Sequence, residues 1–221
     1  MTELTRTGIE GLDSILGGGI VDNATVLISG NPGTGKSILG LQYIYNGVRE
    51  FDEKGIYLSF EENREDIAQA AESIGFDDWR ELVEEDEILI YDKQELLRHN
   101  DFNDTLELLL EEFEEMEYER LVLDSLTMFE LFFADEQEKR TYLLKFSDIL
   151  KANGLTSLLI AEQSAVFPEQ DIGLENFLTD GNIYVIQPPT ESGVNRYIWV
   201  AKMRKQDIET DIFPMDITDG G

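Results

Sequence analysis

The sequence predicts a three-layer α/β fold, with a mostly parallel central sheet between helices and antiparallel strands extending its C-terminal edge. Three observations point there. Apolar runs of strand length alternate with segments of helical spacing as far as Ala161. After Phe167 the pattern changes and strands follow one another. The chain has 221 residues, 42% of them hydrophobic and 10% aromatic, which suits one domain over residues 1–221 with a substantial core.

The elements follow in order. Thr25–Ser29 is a buried-strand run that leads into a glycine-rich loop, and Lys36–Glu50 has helical spacing. Gly55–Phe60 reads as a strand. Asn63 can cap a helix running to about Ser73, with Asp66 in its first turn. Glu87–Tyr91 is a short strand. Asp101–Glu117 places Phe102, Leu106, Leu109, Leu110, Phe113 and Met116 on one helical stripe, with its glutamates on the solvated face. Arg120–Asp124 is a buried strand, Glu136–Ala152 a helix and Thr156–Ala161 a strand. Ile183–Gln187 and Tyr197–Lys202 read as consecutive strands, and Ile212–Ile217 as one more.

Charge bounds the partners. Asp and Glu number 47 against 17 Lys and Arg, giving a net charge of −30. The acidic residues are spread along the whole chain, so they describe a surface rather than a tail. Such self-repulsion is screened in molar salt, where the Debye length is ~3 Å. The expectation is a cytoplasmic protein adapted to high internal salt. There is no cysteine and a single histidine, His99, which excludes disulfides, thiolate metal sites and cysteine catalysis. No apolar run is long enough to insert into a membrane, and Met1–Gly8 lacks the apolar stretch of a secretory signal.

The most specific signal is Gly30-Asn31-Pro32-Gly33-Thr34-Gly35-Lys36-Ser37. It fits G-x-x-x-x-G-K-[ST] and lies between an expected strand and an expected helix, the context that motif requires. Glycines let successive backbone N–H groups converge on phosphate oxygens, and the helix that follows turns its positive end to the same anion. The cradle comprises Asn31, Pro32, Gly33, Thr34, Gly35, Lys36, Ser37 and Ile38. Lys36 is placed to reach the outer phosphates and the Ser37 hydroxyl to coordinate Mg²⁺. Asp124 ends the run Leu121-Val122-Leu123 at the carboxyl edge of a strand, where a second acidic group holds Mg²⁺ or its water shell.

With these residues in hand, the chain resembles the KaiC-like branch of the RecA superfamily of ATPases, over nearly its whole length. The motif Thr7-Gly8-Ile9-Glu10-Gly11-Leu12-Asp13 through Leu16-Gly17-Gly18-Gly19-Ile20, the phosphate loop, Phe60-Glu61-Glu62, Asp124-Ser125 and Lys202-Met203-Arg204 carry the likeness. It departs at Val21-Asp22-Asn23-Ala24, where many relatives have a Pro-x-Gly turn. The resemblance implies a RecA-type P-loop fold, ATP and Mg²⁺ as ligands, and slow hydrolysis in a signalling or regulatory role. Glu61 and Glu62, on the ligand-binding rim after a strand, would orient the attacking water, with Glu62 favoured as the main base. Lys202 and Arg204 would reach across a subunit boundary to a neighbour's γ-phosphate, so ATP would favour a homo-oligomeric ring, a hexamer. Glu162 or Gln163, ending the Thr156–Ala161 strand, would sense the γ-phosphate.

Two other readings compete. An ATP-gated module docking on a larger machine, such as a motility motor, or on a protein signalling partner would use the run Phe129-Glu130-Leu131-Phe132-Phe133, three phenylalanines in five residues. A recombinase is disfavoured. Ser164–Asp180 holds Glu169, Asp171, Glu175 and Asp180 with no Lys or Arg, which opposes nucleic-acid phosphates.

Overall fold

The computed structural model describes residues 3–96, 109, 113, 117–133, 135–164, 169, 173, 175–190, 193–218 and 221. The helix expected over Asp101–Glu117 falls largely outside these residues, as do His99 and much of Ser164–Asp180.

The chain opens with β1 (Leu4–Thr5), α1 (Leu12–Ile15) and β2 (Ile20–Val21). Then come β3 (Thr25–Gly30), α2 (Lys36–Phe51), β4 (Gly55–Ser59), α3 (Arg64–Ser73), α4 (Trp79–Glu84), β5 (Ile88–Tyr91) and α5 (Lys93–Leu96). The second half holds β6 (Arg120–Asp124), α6 (Leu126–Glu130), α7 (Glu136–Ala152), β7 (Thr156–Glu162), α8 (Glu175–Leu178) and β8 (Gly181–Ile186). It closes with β9 (Pro189–Thr190), β10 (Gly193–Val194), β11 (Arg196–Met203) and β12 (Ile212–Met215).

Among the described residues the main sheet has eight strands in the order β12-β11-β8-β3-β7-β6-β4-β5. The six from β8 to β5 are mutually parallel; β11 and β12 pair antiparallel at the edge. Strand periodicity divides the core. Val26 and Ile28 of β3 face the layer of α1 to α4, whereas Leu27 faces the opposite layer. That second layer holds Leu126 and Phe129 of α6 and Leu143, Phe146 and Leu150 of α7. Leu109 and Phe113, members of the apolar stripe expected there, are buried in it. The three-layer α/β architecture and its antiparallel edge are as the sequence predicts.

Local chemistry fixes several boundaries. The Asn63 side chain accepts from the N–H groups of Glu65 and Asp66, capping α3. Asp135 does the same for α7 through Gln137 and Glu138. Asn23 adopts φ of 61°, supplying the left-handed turn before β3 at the point where the chain departs from the Pro-x-Gly pattern.

Candidate functional site

Parallel strands end together, so β3, β6, β4 and β7 bring Gly30, Asp124, the residues after Ser59, and Glu162 to one rim of the sheet. This is the carboxyl edge at which open α/β sheets bind ligands. Gly30 is required there: a Cβ on it would lie 2.4 Å from the carbonyl oxygen of Val185 on the adjacent strand. Gly33 and Gly35 carry φ values of 79° and 101°, in the region L side chains avoid. Gly35 is also the N-cap of the sixteen-residue α2, whose first residue is Lys36.

The loop holds its own shape. Thr34 Oγ1 donates to the Asn31 carbonyl at 2.9 Å, and Lys36 Nζ donates to the same oxygen at 3.0 Å. Asn31 Nδ2 donates to the Gln163 carbonyl at 2.8 Å, and Gln163 N–H donates to Gly30 O at 3.0 Å. The end of β7 is therefore tied to the loop at two points. Lys36 is buried, which lowers its pKa; the negative charges of Glu162, Asp124 and Glu61 partly offset this.

Opposite Lys36 stands Asp124. Ser37 hydrogen-bonds to its carboxylate, and Tyr57 Oη donates to Oδ2 at 2.9 Å. Burial raises the Asp124 pKa, and Glu61 adds to the rise, while the Ser37 and Tyr57 bonds and the Lys36 charge oppose it. A hydroxyl and a carboxylate in contact are two hard oxygen donors, the set that suits Mg²⁺ beside substrate phosphates. The residues present fit that cation. The Asp124–Ser125 peptide is cis, and Ser125 Oγ donates to Glu61 Oε1.

Glu61 lines a cleft of about 350 Å³ together with Pro32, Gly33, Gly35, Lys36, Ser37, Ile38, Asp124 and Glu162. Lys93 Nζ donates to the Glu61 carbonyl at 2.9 Å. Glu62 sits beside it, its N–H donating to Ser59 Oγ at 3.0 Å. Partial burial, followed by the charges of Asp124, Asp66 and Glu61, raises the Glu62 pKa, with Lys93 opposing. Glu162 and Gln163 separate in role. Glu162 lines the cleft, its N–H donating to Thr127 Oγ1 at 2.8 Å. The Gln163 side chain is buried, and its Nε2 has no hydrogen-bond partner among the described residues.

Arg196 also lines the cleft, with a buried Nε that has no hydrogen-bond partner among the described residues. Sequence reasoning missed it. The usable signal was the scarcity of cations in so acidic a chain. Ile217, likewise not singled out, closes over Gly35: a Cβ there would meet Ile217 Cδ1 at 2.9 Å.

Lys202 and Arg204 stand apart. β11 runs antiparallel to β8, so Met203 pairs with Gly181, which itself pairs with Val26 near the start of β3. The two cations thus lie at the amino edge of the parallel strands. Arg196 and Lys202 are six strand steps apart, roughly 20 Å at about 3.3 Å each. Within one chain they do not join the cleft. Lys202 Nζ donates to the carbonyls of Asn176 and Thr179 at 3.1 and 2.6 Å.

Comparison with known proteins gives one consistent likeness. A family model described as "ATPase: KaiC" matches residues 5–221. The circadian clock oscillator protein KaiC of Synechococcus elongatus is 32% identical over 225 residues, covering 98% of this chain and 43% of that protein. The KaiC of a Picosynechococcus strain is 31% identical with the same coverage. The chain therefore spans less than half the length of these curated relatives. A crystal structure of a KaiC-like protein from the hyperthermophilic archaeon Pyrococcus horikoshii superposes with a TM-score of 0.87 at 29% identity, covering 100% of this chain and 98% of that one.

Proposed function

The chain belongs to the KaiC family of ATPases, and from that membership we propose that it binds Mg²⁺–ATP in the β3–α2 cleft and hydrolyses it slowly, at sites completed by neighbouring subunits of a ring. The observation that carries this reading is the convergence of Lys36, Ser37, Asp124 and Glu61 on one rim, with Ser37 hydrogen-bonded to Asp124.

The loop N–H groups and the α2 N-terminus receive the phosphates. Lys36 exchanges its bond to the Asn31 carbonyl for a phosphate oxygen, since its loop partner is a neutral acceptor and the incoming group an anion. Ser37 and Asp124 would hold Mg²⁺, which supplies neutralisation of charge on the phosphates. Glu61 is oriented by Ser125, and Glu62 carries a raised pKa suited to accepting a proton from water. Positioning is most of what such a base must do in phosphoryl transfer. Glu162 and Gln163, tied to the loop through β7, report the state of the γ-phosphate. Arg204, and Lys202 with it, serves the neighbour's site rather than its own. This is why the proposed unit is a ring, as the resemblance implies a hexamer.

The test is steady-state ATP hydrolysis in high KCl with Mg²⁺ across protein concentrations, with Lys36→Ala and Arg204→Ala alongside. Specific activity should rise with concentration, vanish in Lys36→Ala and fall about 10³-fold or more in Arg204→Ala. A rate per chain independent of concentration, or an active Arg204→Ala, overturns the shared site. A second reading, ATP-gated docking on a protein partner, is favoured by Leu131 and Phe132, 72% and 38% exposed beside the rim. Tight ATP binding without turnover in the same assay would select it.

A further inference from the structure

Asp180 has no part in the cleft, yet at the opposite edge of the sheet it is bound from several sides. It directly precedes β8. Its N–H donates to the Thr25 carbonyl at 2.8 Å, and its Oδ2 accepts from the Thr25 N–H at 3.1 Å. Lys151, in the last turn of α7, pairs with the same oxygen at 2.8 Å. On its other side the Asp180 carbonyl accepts from the Arg204 N–H at 2.9 Å, and Oδ1 lies 3.6 Å from the Arg204 guanidinium. Burial alone would raise its pKa. The bonds from Lys151 and Thr25 N–H, with the charges of Lys151 and Arg204, outweigh that and hold it below the ordinary aspartate value, so it is a carboxylate at neutral pH.

The turn bearing Arg204 is fastened on its far flank too. Gln206 Nε2 donates to the carbonyls of Leu16 and Gly19, the latter at 2.6 Å. Half of the Arg204 side chain is nevertheless exposed. The backbone of this cation is fixed on both flanks while its side chain, paired with Asp180, stays half exposed. A long side chain that must meet a target on another subunit gains from such an anchor, because less freedom is lost on contact.

We propose that Asp180 is the positioning residue for Arg204: it fixes the turn through its backbone carbonyl and aims the guanidinium through its carboxylate, referencing both to Thr25, the first residue of the strand that ends in the phosphate loop. The proposal rests on the reading of Arg204 as a contact offered to a neighbour. It adds that the offered cation and the donor's own phosphate loop are two ends of one strand-borne frame.

The experiment is a double-mutant cycle on the full chain, read by single-turnover hydrolysis of γ-labelled ATP and, separately, by nucleotide affinity. Arg204→Ala should lower the rate about 10³-fold or more. Asp180→Asn keeps an oxygen for the Thr25 N–H but loses the charge, and should lower the rate about 10- to 100-fold with affinity changed less than about twofold. The double variant should match Arg204→Ala within about twofold, because a misaimed group that has been removed costs nothing further. If Asp180→Asn does not fold, Asp180→Glu replaces it, keeping the charge but displacing it by one methylene, with a loss of about tenfold expected. Wild-type rates in the Asp180 variant, a loss of affinity equal to the loss of rate, or multiplicative losses in the double variant overturn the proposal. Full activity in Arg204→Ala instead overturns the shared-site reading and leaves the cause unmistakable.

Discussion

Lys36 is held at a position where burial disfavours its charge and three carboxylates partly offset that. Neighbouring Glu62 shows the opposite arrangement, with burial and nearby acids both favouring the neutral form. Its folded pKa lies above the ordinary glutamate value, so ionisation there works against folding, and protonation as pH falls through the folded pKa stabilises rather than destabilises. Catalysis has the reverse sign, since a base must be ionised. Hydrolysis should decline on acidification at a higher pH than an ordinary glutamate would give, and Glu61→Gln/Glu62→Gln should lose about 10²- to 10⁴-fold in kcat with ATP affinity retained. A pH–rate profile of the wild type and kcat of the variant check this; an unchanged kcat removes both residues from the mechanism. At this scale the phosphate loop and Asp124 were legible because their chemistry requires fixed residue types at fixed spacing. Arg196 was not, because a single arginine at a strand start has no spacing to betray it. Its place at the rim comes from the antiparallel pairing of β11 with β8, in which Tyr197 stands opposite Ile186 at the end of β8.

Arg120 shows how one element fastens several. It opens β6 fully buried, and its guanidinium donates to Glu53 Oε2, Tyr43 O and Arg6 O at 2.7, 2.8 and 2.7 Å. It also lies over the Tyr43 ring, 4.6 Å from its centroid. Gly47 of α2 makes the room: a Cβ there would sit 2.5 Å from Arg120 Cδ. Gly47→Ala should therefore destabilise by roughly 1–3 kcal/mol, against a gain of about 1 kcal/mol expected from helix propensity alone. A thermal melt decides it, because a raised Tm would mean the helix and strand can separate at no cost. Long periodic elements were readable from the chain, and β6 and α7 fall at the bounds the pattern gives. The six-residue α4 was not, since a segment that short, with Trp79 and Leu82 as its buried residues, shows no period. α6 was hidden for a different reason. Its Phe129 is core and meets the Phe60 ring at 5.8 Å, while Leu131 just beyond is exposed, so one apolar run serves both environments.

The whole molecule carries a net charge of −30 on a fold whose ion pairs are mostly at the surface. Such pairs contribute little and are screened by salt, as is the excess negative charge, but the excess is far larger. Raising KCl from about 0.1 to 2 M should increase Tm by roughly 10 °C, about 3 kcal/mol at ~3 °C per kcal/mol. Melts across the salt series test this; a flat or falling Tm would separate the acidic surface from any adaptation to salt. Among the described residues no helix is long and apolar enough to cross a membrane. The order of the sheet could not be read from the chain, because strand adjacency depends on which apolar faces meet and not on sequence order. Alternation followed by strands was nevertheless enough to place the antiparallel edge.

That edge ends in β12, four residues whose third is Pro214. A proline has no N–H to offer another strand and is tolerated in a sheet where that donor would face solvent. The outer side of β12 therefore makes a poor template for strand addition. Any contact made at this edge would have to use side chains and loops rather than an added strand. Proline thus guards this side of the sheet against β-linked polymerisation, and leaves β5 as the sheet's other edge.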